Sequence, residues 1–164
     1  MAEVPPLEKL WRQYRDRGFE FFIIYVREAH PGENIPHHTS FQQKLSHASR
    51  CRDEENISLP ILVDDLNGQI HREYGLLPNM IYVINRQGII VYKSDWTDAE
   101  ELSDLFENMI RWEEAREQGQ RFRLSYAERL RIVQDDPAIR RRVYERAGQK
   151  AIEDYKRATG KSLL

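Results

Sequence analysis

The pattern of apolar residues predicts a layered α/β domain with a mainly parallel sheet, followed by a basic helical tail. Three observations predict it. Strand-like runs alternate with helical stripes up to about residue 111. The run from Phe19 to Val26 is apolar and aromatic without alternation, as in a parallel strand covered on both faces. After Gly119 there is no strand signal.

Taken in order, Leu7, Leu10, Trp11 and Tyr14 fall on one helical stripe behind Pro5 and Pro6, which predicts a helix from about Pro6 to Arg15, ended by Gly18. Phe19 to Val26 is the first strand. A polar loop with Pro31, Gly32 and Pro36 follows, and Thr39 or Ser40 caps a helix running to about Glu54. Pro60 to Val63 reads as a short buried strand and Asn67 to Tyr74 as one or two helical turns. Met80 to Ile84 and Ile89 to Tyr92 form a hairpin through a turn that contains Gly88. From Thr97, one helical face collects Ala99, Leu102, Leu105, Phe106, Met109 and Ile110. In the tail, helices are predicted near Ser125 to Gln134 and over Pro137 to Thr159. The expected division is residues 1–111 for the α/β domain and 112–164 for the tail.

A chain of 164 residues with 40% apolar content is about one domain long and buries one core. Its longest apolar stretch, Phe21 to Val26, is far short of the roughly 20 residues that span a bilayer, and Met1 to Pro6 lacks a signal pattern. A cytoplasmic location with no membrane partner is therefore expected. The single cysteine, Cys51, makes no internal disulfide and fits a reducing compartment. The net charge of −2 is unevenly spread: residues 1–110 carry 11 lysines and arginines against 18 acids, and residues 111–164 carry 14 against 9. The tail either docks on its own acidic domain, meets an acidic partner such as nucleic acid, or presents a solvated helical face. Interspersed acids favour the last, so nucleic acid is not expected.

The segment Phe22-Ile23-Ile24-Tyr25-Val26-Arg27-Glu28-Ala29-His30-Pro31 resembles the strand and Glu-Ala-His loop of the iodothyronine deiodinase family and its bacterial relatives. The resemblance continues through Pro60 to Asp64, through Tyr74-Gly75-Leu76-Leu77-Pro78 into Met80 to Ile84, and through Gly88 to Lys93, covering about residues 7–110. It implies a thioredoxin-like fold and chemistry at a selenocysteine or cysteine nucleophile, with a thiol reductant as partner. The family's nucleophile lies on a strand end ahead of the first helix, where this chain has no cysteine. That missing strand is central in thioredoxin-like sheets and leaves two inner edges unpaired. Either the flanking strands pair directly, another chain supplies a strand, or the natural chain starts further upstream; an incomplete amino terminus is expected.

By the same resemblance Glu28 and His30 handle protons near the substrate, the other reading being a loop-stabilising ion pair, and Pro78 is expected to form a cis bond with Leu77 beside the substrate groove rather than a plain trans turn. Cys51 stands four residues after His47 on the predicted helix, a spacing that lowers a thiol pKa or shares a metal, or simply buries a small side chain. His30, His37, His38 and His47 make a His-rich region without closed zinc-site spacing, so no metal is expected. No GxGxxG, GxxxxGK[ST] or GxSxG pattern occurs, and no cofactor is expected. Arg140, Arg141, Arg142, Arg146 and Lys150 form the densest basic cluster, with Val143, Ala147 and Ile152 turned to a core.

Two functions follow. One is a deiodinase-like thiol or selenol oxidoreductase whose nucleophile segment is absent from this chain. The other is a non-catalytic protein-binding or self-associating module, working through an exposed sheet edge or the basic tail.

Overall fold

Prolines in the first turn of a helix lose nothing by lacking an N–H, and the first helix, α1 (Val4–Tyr14), begins there. In this computed structural model residues 3–123, 125–128, 130, 132 and 136–163 are described. A 3₁₀ turn at Arg15–Arg17 and Gly18, at φ +87°, end α1 and turn the chain into β1 (Ile23–Tyr25). Helix α2 (Phe41–Glu54) starts with reciprocal capping. The Ser40 Oγ accepts from the Gln43 N–H at 3.1 Å, and the Gln43 Oε1 accepts from the Thr39 N–H at 2.7 Å. Then come β2 (Ile61–Val63), the short α3 (Gln69–Glu73), and the hairpin β3 (Ile81–Ile84) and β4 (Ile90–Ser94).

The architecture is mixed α/β, with two separate two-stranded sheets. Strands β1 and β2 are parallel in the register Ile23↔Ile61, Ile24↔Leu62, Tyr25↔Val63. Strands β3 and β4 are antiparallel, with a bulge between Val83 and Ile84. The expected mainly parallel sheet is thus halved, and among the described residues β1 does not pair with β3. Strand β1 is also shorter than Phe19 to Val26, because its partner begins only after Pro60, which has no N–H to offer the ladder. Its faces are incompletely covered: Ile23, Ile24 and Tyr25 are each only half-buried.

The core beside β1 is built by Val4, Ile57 and Leu59, surrounded by Leu7, Trp11, Phe21, Ile23, Cys51 and Ile61. A buried acid ties α1 to it. The Glu8 carboxylate accepts from the Ser58 N–H at 2.6 Å, the Leu59 N–H at 3.0 Å and the Ser58 hydroxyl. Burial alone would raise its pKa, but these bonds and Arg12 hold the carboxyl below its ordinary value.

Residues up to Thr97 and from Asp136 onward form one unit, and Asp98–Asp135 a second. The second contains α4 (Ala99–Glu117), capped by Asp98, which accepts from the N–H groups of Glu100 and Glu101. Of the helix predicted near Ser125 to Gln134, residues 125–128, 130 and 132 are not helical, and the remainder lies outside the described residues. The helix predicted over Pro137 to Thr159 is two, α5 (Pro137–Ala147) and α6 (Gln149–Thr159), broken at Gly148 with φ +115°. No described helix is long and apolar enough to cross a membrane.

Candidate functional site

Where a parallel strand pair ends, its last residues and following loops converge on a crevice. At the carboxyl end of β1 and β2 that crevice is a cleft of about 290 Å³, lined by Arg27, Glu28, His30, His37, His71 and Pro78 among others. An adjoining cleft of about 310 Å³ shares Arg27, Glu28, His37 and His71 with it and adds His38, Lys44 and Arg72.

Three of the residues singled out from the sequence, Glu28, His30 and Pro78, therefore meet around one cleft. The Glu28 Oε1 accepts from the backbone N–H of His30 at 3.3 Å, which folds the Glu-Ala-His turn on itself. His30 is half-buried; burial pulls its imidazole pKa below the ordinary 6.5, with the Glu28 charge opposing. The imidazole is therefore neutral at pH 7, the form that accepts a proton.

Pro78 lines the cleft through a trans peptide, not the expected cis one, since no described peptide bond is cis. Two residues earlier Leu76 takes φ +66°, and Pro78 then opens an ordinary turn with Asn79. Cys51 lines neither cleft; it packs beside Val4, Ile57 and Leu59. Burial pushes its thiol pKa up, and the neighbour that pulls it back is Arg146, which hydrogen-bonds the sulfur, not His47. His47 instead lies against His38, ring centroids 5.1 Å apart, and His38 against Tyr25 at 5.7 Å. Burial, then the charges of His47 and Lys44, lower the His38 pKa. Among the described residues no group of three His, Cys, Asp or Glu is placed to hold a metal.

The floor of the second cleft rests on two buried charges that the sequence did not single out. Asp64, 1% exposed, accepts from the N–H groups of Asp65, Ile70 and His71 and so starts α3. Burial would raise its pKa, but these bonds and Lys44 hold it low. Lys44, 2% exposed, donates its Nζ to the Asp65 carbonyl at 2.9 Å. Burial lowers its pKa against the pull of Asp64 and Asp65.

The loop that carries Glu28 and His30 is held from the other side by the tail. A Cβ on Gly32 would lie 2.2 Å from the Ala147 carbonyl oxygen, so only glycine permits this approach. The Asn34 N–H donates to that carbonyl at 3.0 Å, and the Glu33 carboxylate accepts from the N–H groups of Gln149 and Lys150, capping α6. Arg146 pairs with Glu54 at 2.7 Å and Arg142 with Glu55 at 3.1 Å. Two arginines of the basic tail thus pair with acidic residues of this chain's own α2 and the residue after it.

The chain resembles iodothyronine deiodinases. It is 33% identical over 82 residues to the type I iodothyronine deiodinase of Xenopus laevis, an alignment covering 45% of this chain and 32% of that protein. It is 27% identical over 124 residues to the thyroxine 5-deiodinases of Ovis aries and Homo sapiens, covering 70% of this chain and 41% and 40% of theirs. The chain thus spans about two fifths or less of the length of these relatives. No family model and no solved structure matches it.

Proposed function

We propose that this chain carries a deiodinase-like oxidoreductase domain of thioredoxin-like fold, whose proton-handling groups are Glu28 and His30. The observation that supports it is the meeting of Glu28, His30 and Pro78 around one cleft at the carboxyl end of β1, in a chain whose curated relatives are deiodinases.

In this reading a neutral His30 takes the proton from a thiol at the cleft. The thiolate attacks the substrate and breaks its reducible bond. His30 returns the proton to the departing group, and Glu28 steadies the imidazolium in between. Cys51, which does not line the cleft, is not the attacking thiol; an added thiol reductant supplies it. With an organic hydroperoxide, the first thiol of a dithiol becomes a sulfenic acid as the alcohol leaves, and the second displaces water to give the disulfide.

The test is dithiol-dependent hydroperoxide reduction by the chain. His30→Gln is expected to lower the catalysed rate about 100-fold, and Cys51→Ser to leave it. A rate equal to the uncatalysed dithiol reaction removes the reading.

A second reading, a protein-binding or self-associating module, is favoured by the sheet edges. Among the described residues β1 and β3 each pair on one side only, and Phe22, Leu62, Ile84 and Ile90 are exposed. Concentration-dependent sedimentation of the chain, abolished by Phe22→Lys, is its expected signature; a monomer at all concentrations opposes self-association.

A further inference from the structure

The double cleft contains a group that proton handling at His30 does not use. His71 is only 5% exposed, yet its Nε2 has no hydrogen-bond partner among the described residues. Its backbone is fixed by the Asp64 Oδ2, which accepts its N–H at 3.1 Å. A buried polar atom left unpaired is costly, and such atoms mark places where a ligand completes the bonding. His71 lines both clefts, and so do Arg27 and His37.

The charges around it set the sign of that ligand. Lys44 is committed to the Asp65 carbonyl, Arg72 to the Asn67 carbonyl, and Glu28 to the His30 N–H. Arg27 is exposed, lines both clefts and has no hydrogen bond or ion pair with any described residue. A guanidinium presents a planar fork that matches two oxygens of one anion. We infer that the double cleft is an oxyanion subsite, in which Arg27 grips a carboxylate or phosphate and the Nε2–H of His71 completes its hydrogen bonding. Its position, at the carboxyl end of the β1–β2 pair, is where ligands of α/β sheets bind. As a statement about the substrate's acidic head it rests on the oxidoreductase reading; as a binding site it does not.

The test is a titration of the full chain, with the His71 imidazole followed by NMR. Sodium phosphate and sodium acetate are the probes, and sodium chloride holds the ionic strength constant. The expected result is a saturable displacement of the His71 Nε2 resonance by at least one of the two oxyanions, weakened at least about tenfold in Arg27→Gln. Phosphate acting alone assigns a phosphate head, and acetate acting alone a carboxylate head. The inference is overturned if neither anion gives a saturable displacement, or if Arg27→Gln leaves the curve unchanged. Saturable binding without dithiol-dependent turnover would keep the subsite and remove the oxidoreductase reading, so the two fail separately.

Discussion

The ring of Tyr144, on α5, lies against that of His30, with centroids 4.5 Å apart. Tyr155, on α6, backs Tyr144 at 4.9 Å, and the Tyr155 hydroxyl accepts from Arg140 at 3.1 Å. The tail thus forms one wall of the environment in which His30 titrates, with Glu28 the charged group facing it from its own loop.

Removing that wall re-solvates the imidazole. Tyr144→Ala is expected to raise the His30 pKa towards the ordinary 6.5, read from its ring resonances in a pH titration. Because the folded value is depressed, the unfolded state binds the extra proton first. His30 therefore costs stability as pH falls from 6.5 through the folded value and nothing above it. Tyr144→Ala should lessen that loss.

Gly32→Ala places a methyl group against the Ala147 carbonyl and forces α5 away from the loop. A loss of about 1–3 kcal/mol is expected from thermal or denaturant unfolding, together with a rise in the His30 pKa like that of Tyr144→Ala. An unchanged midpoint would show that the tail does not press on this loop.

Glu8→Gln removes the charge that brackets α1 to residues 58 and 59 and should cost about 1.5–3 kcal/mol in denaturant unfolding. Its folded pKa is depressed below 4.5. Its contribution is therefore complete above pH 4.5 and lost as pH falls through the folded value. The variant should show a shallower acid limb than the parent.

Cys51 is held in its thiol form by burial. Iodoacetamide at neutral pH should alkylate it more slowly than a cysteine in an unstructured peptide, and Arg146→Gln, which removes the opposing charge, should not speed the reaction through ionisation. Fast labelling of the parent would contradict this account of the thiol.

What the sequence discloses, and what it hides, follows from the range of each interaction. The α2 start was legible because Ser40 and Gln43 cap it within four residues. The order of strands and helices was legible from periodicity. The length of β1 was not, because it depends on where a partner 38 positions away, Ile61 for Ile23, meets Pro60. The break of the tail helix has a local sign in Gly148, whose φ of +115° interrupts an otherwise continuous helical pattern. The trans Leu77–Pro78 bond corrects an expectation drawn from resemblance alone. His71 left no trace at all: a lone histidine on a five-residue helix is buried only in the fold, with its backbone N–H held by Asp64, seven positions earlier.

The central claim is that Glu28 and His30 form the proton-handling part of a thiol-dependent reductive site. The most direct measurement is the rate of organic hydroperoxide reduction by the chain with excess dithiol, compared among the parent, His30→Gln and Cys51→Ser. The account predicts catalysis above the dithiol background, reduced about 100-fold in His30→Gln and retained in Cys51→Ser. A parent rate equal to that background, or one insensitive to His30→Gln, would contradict it.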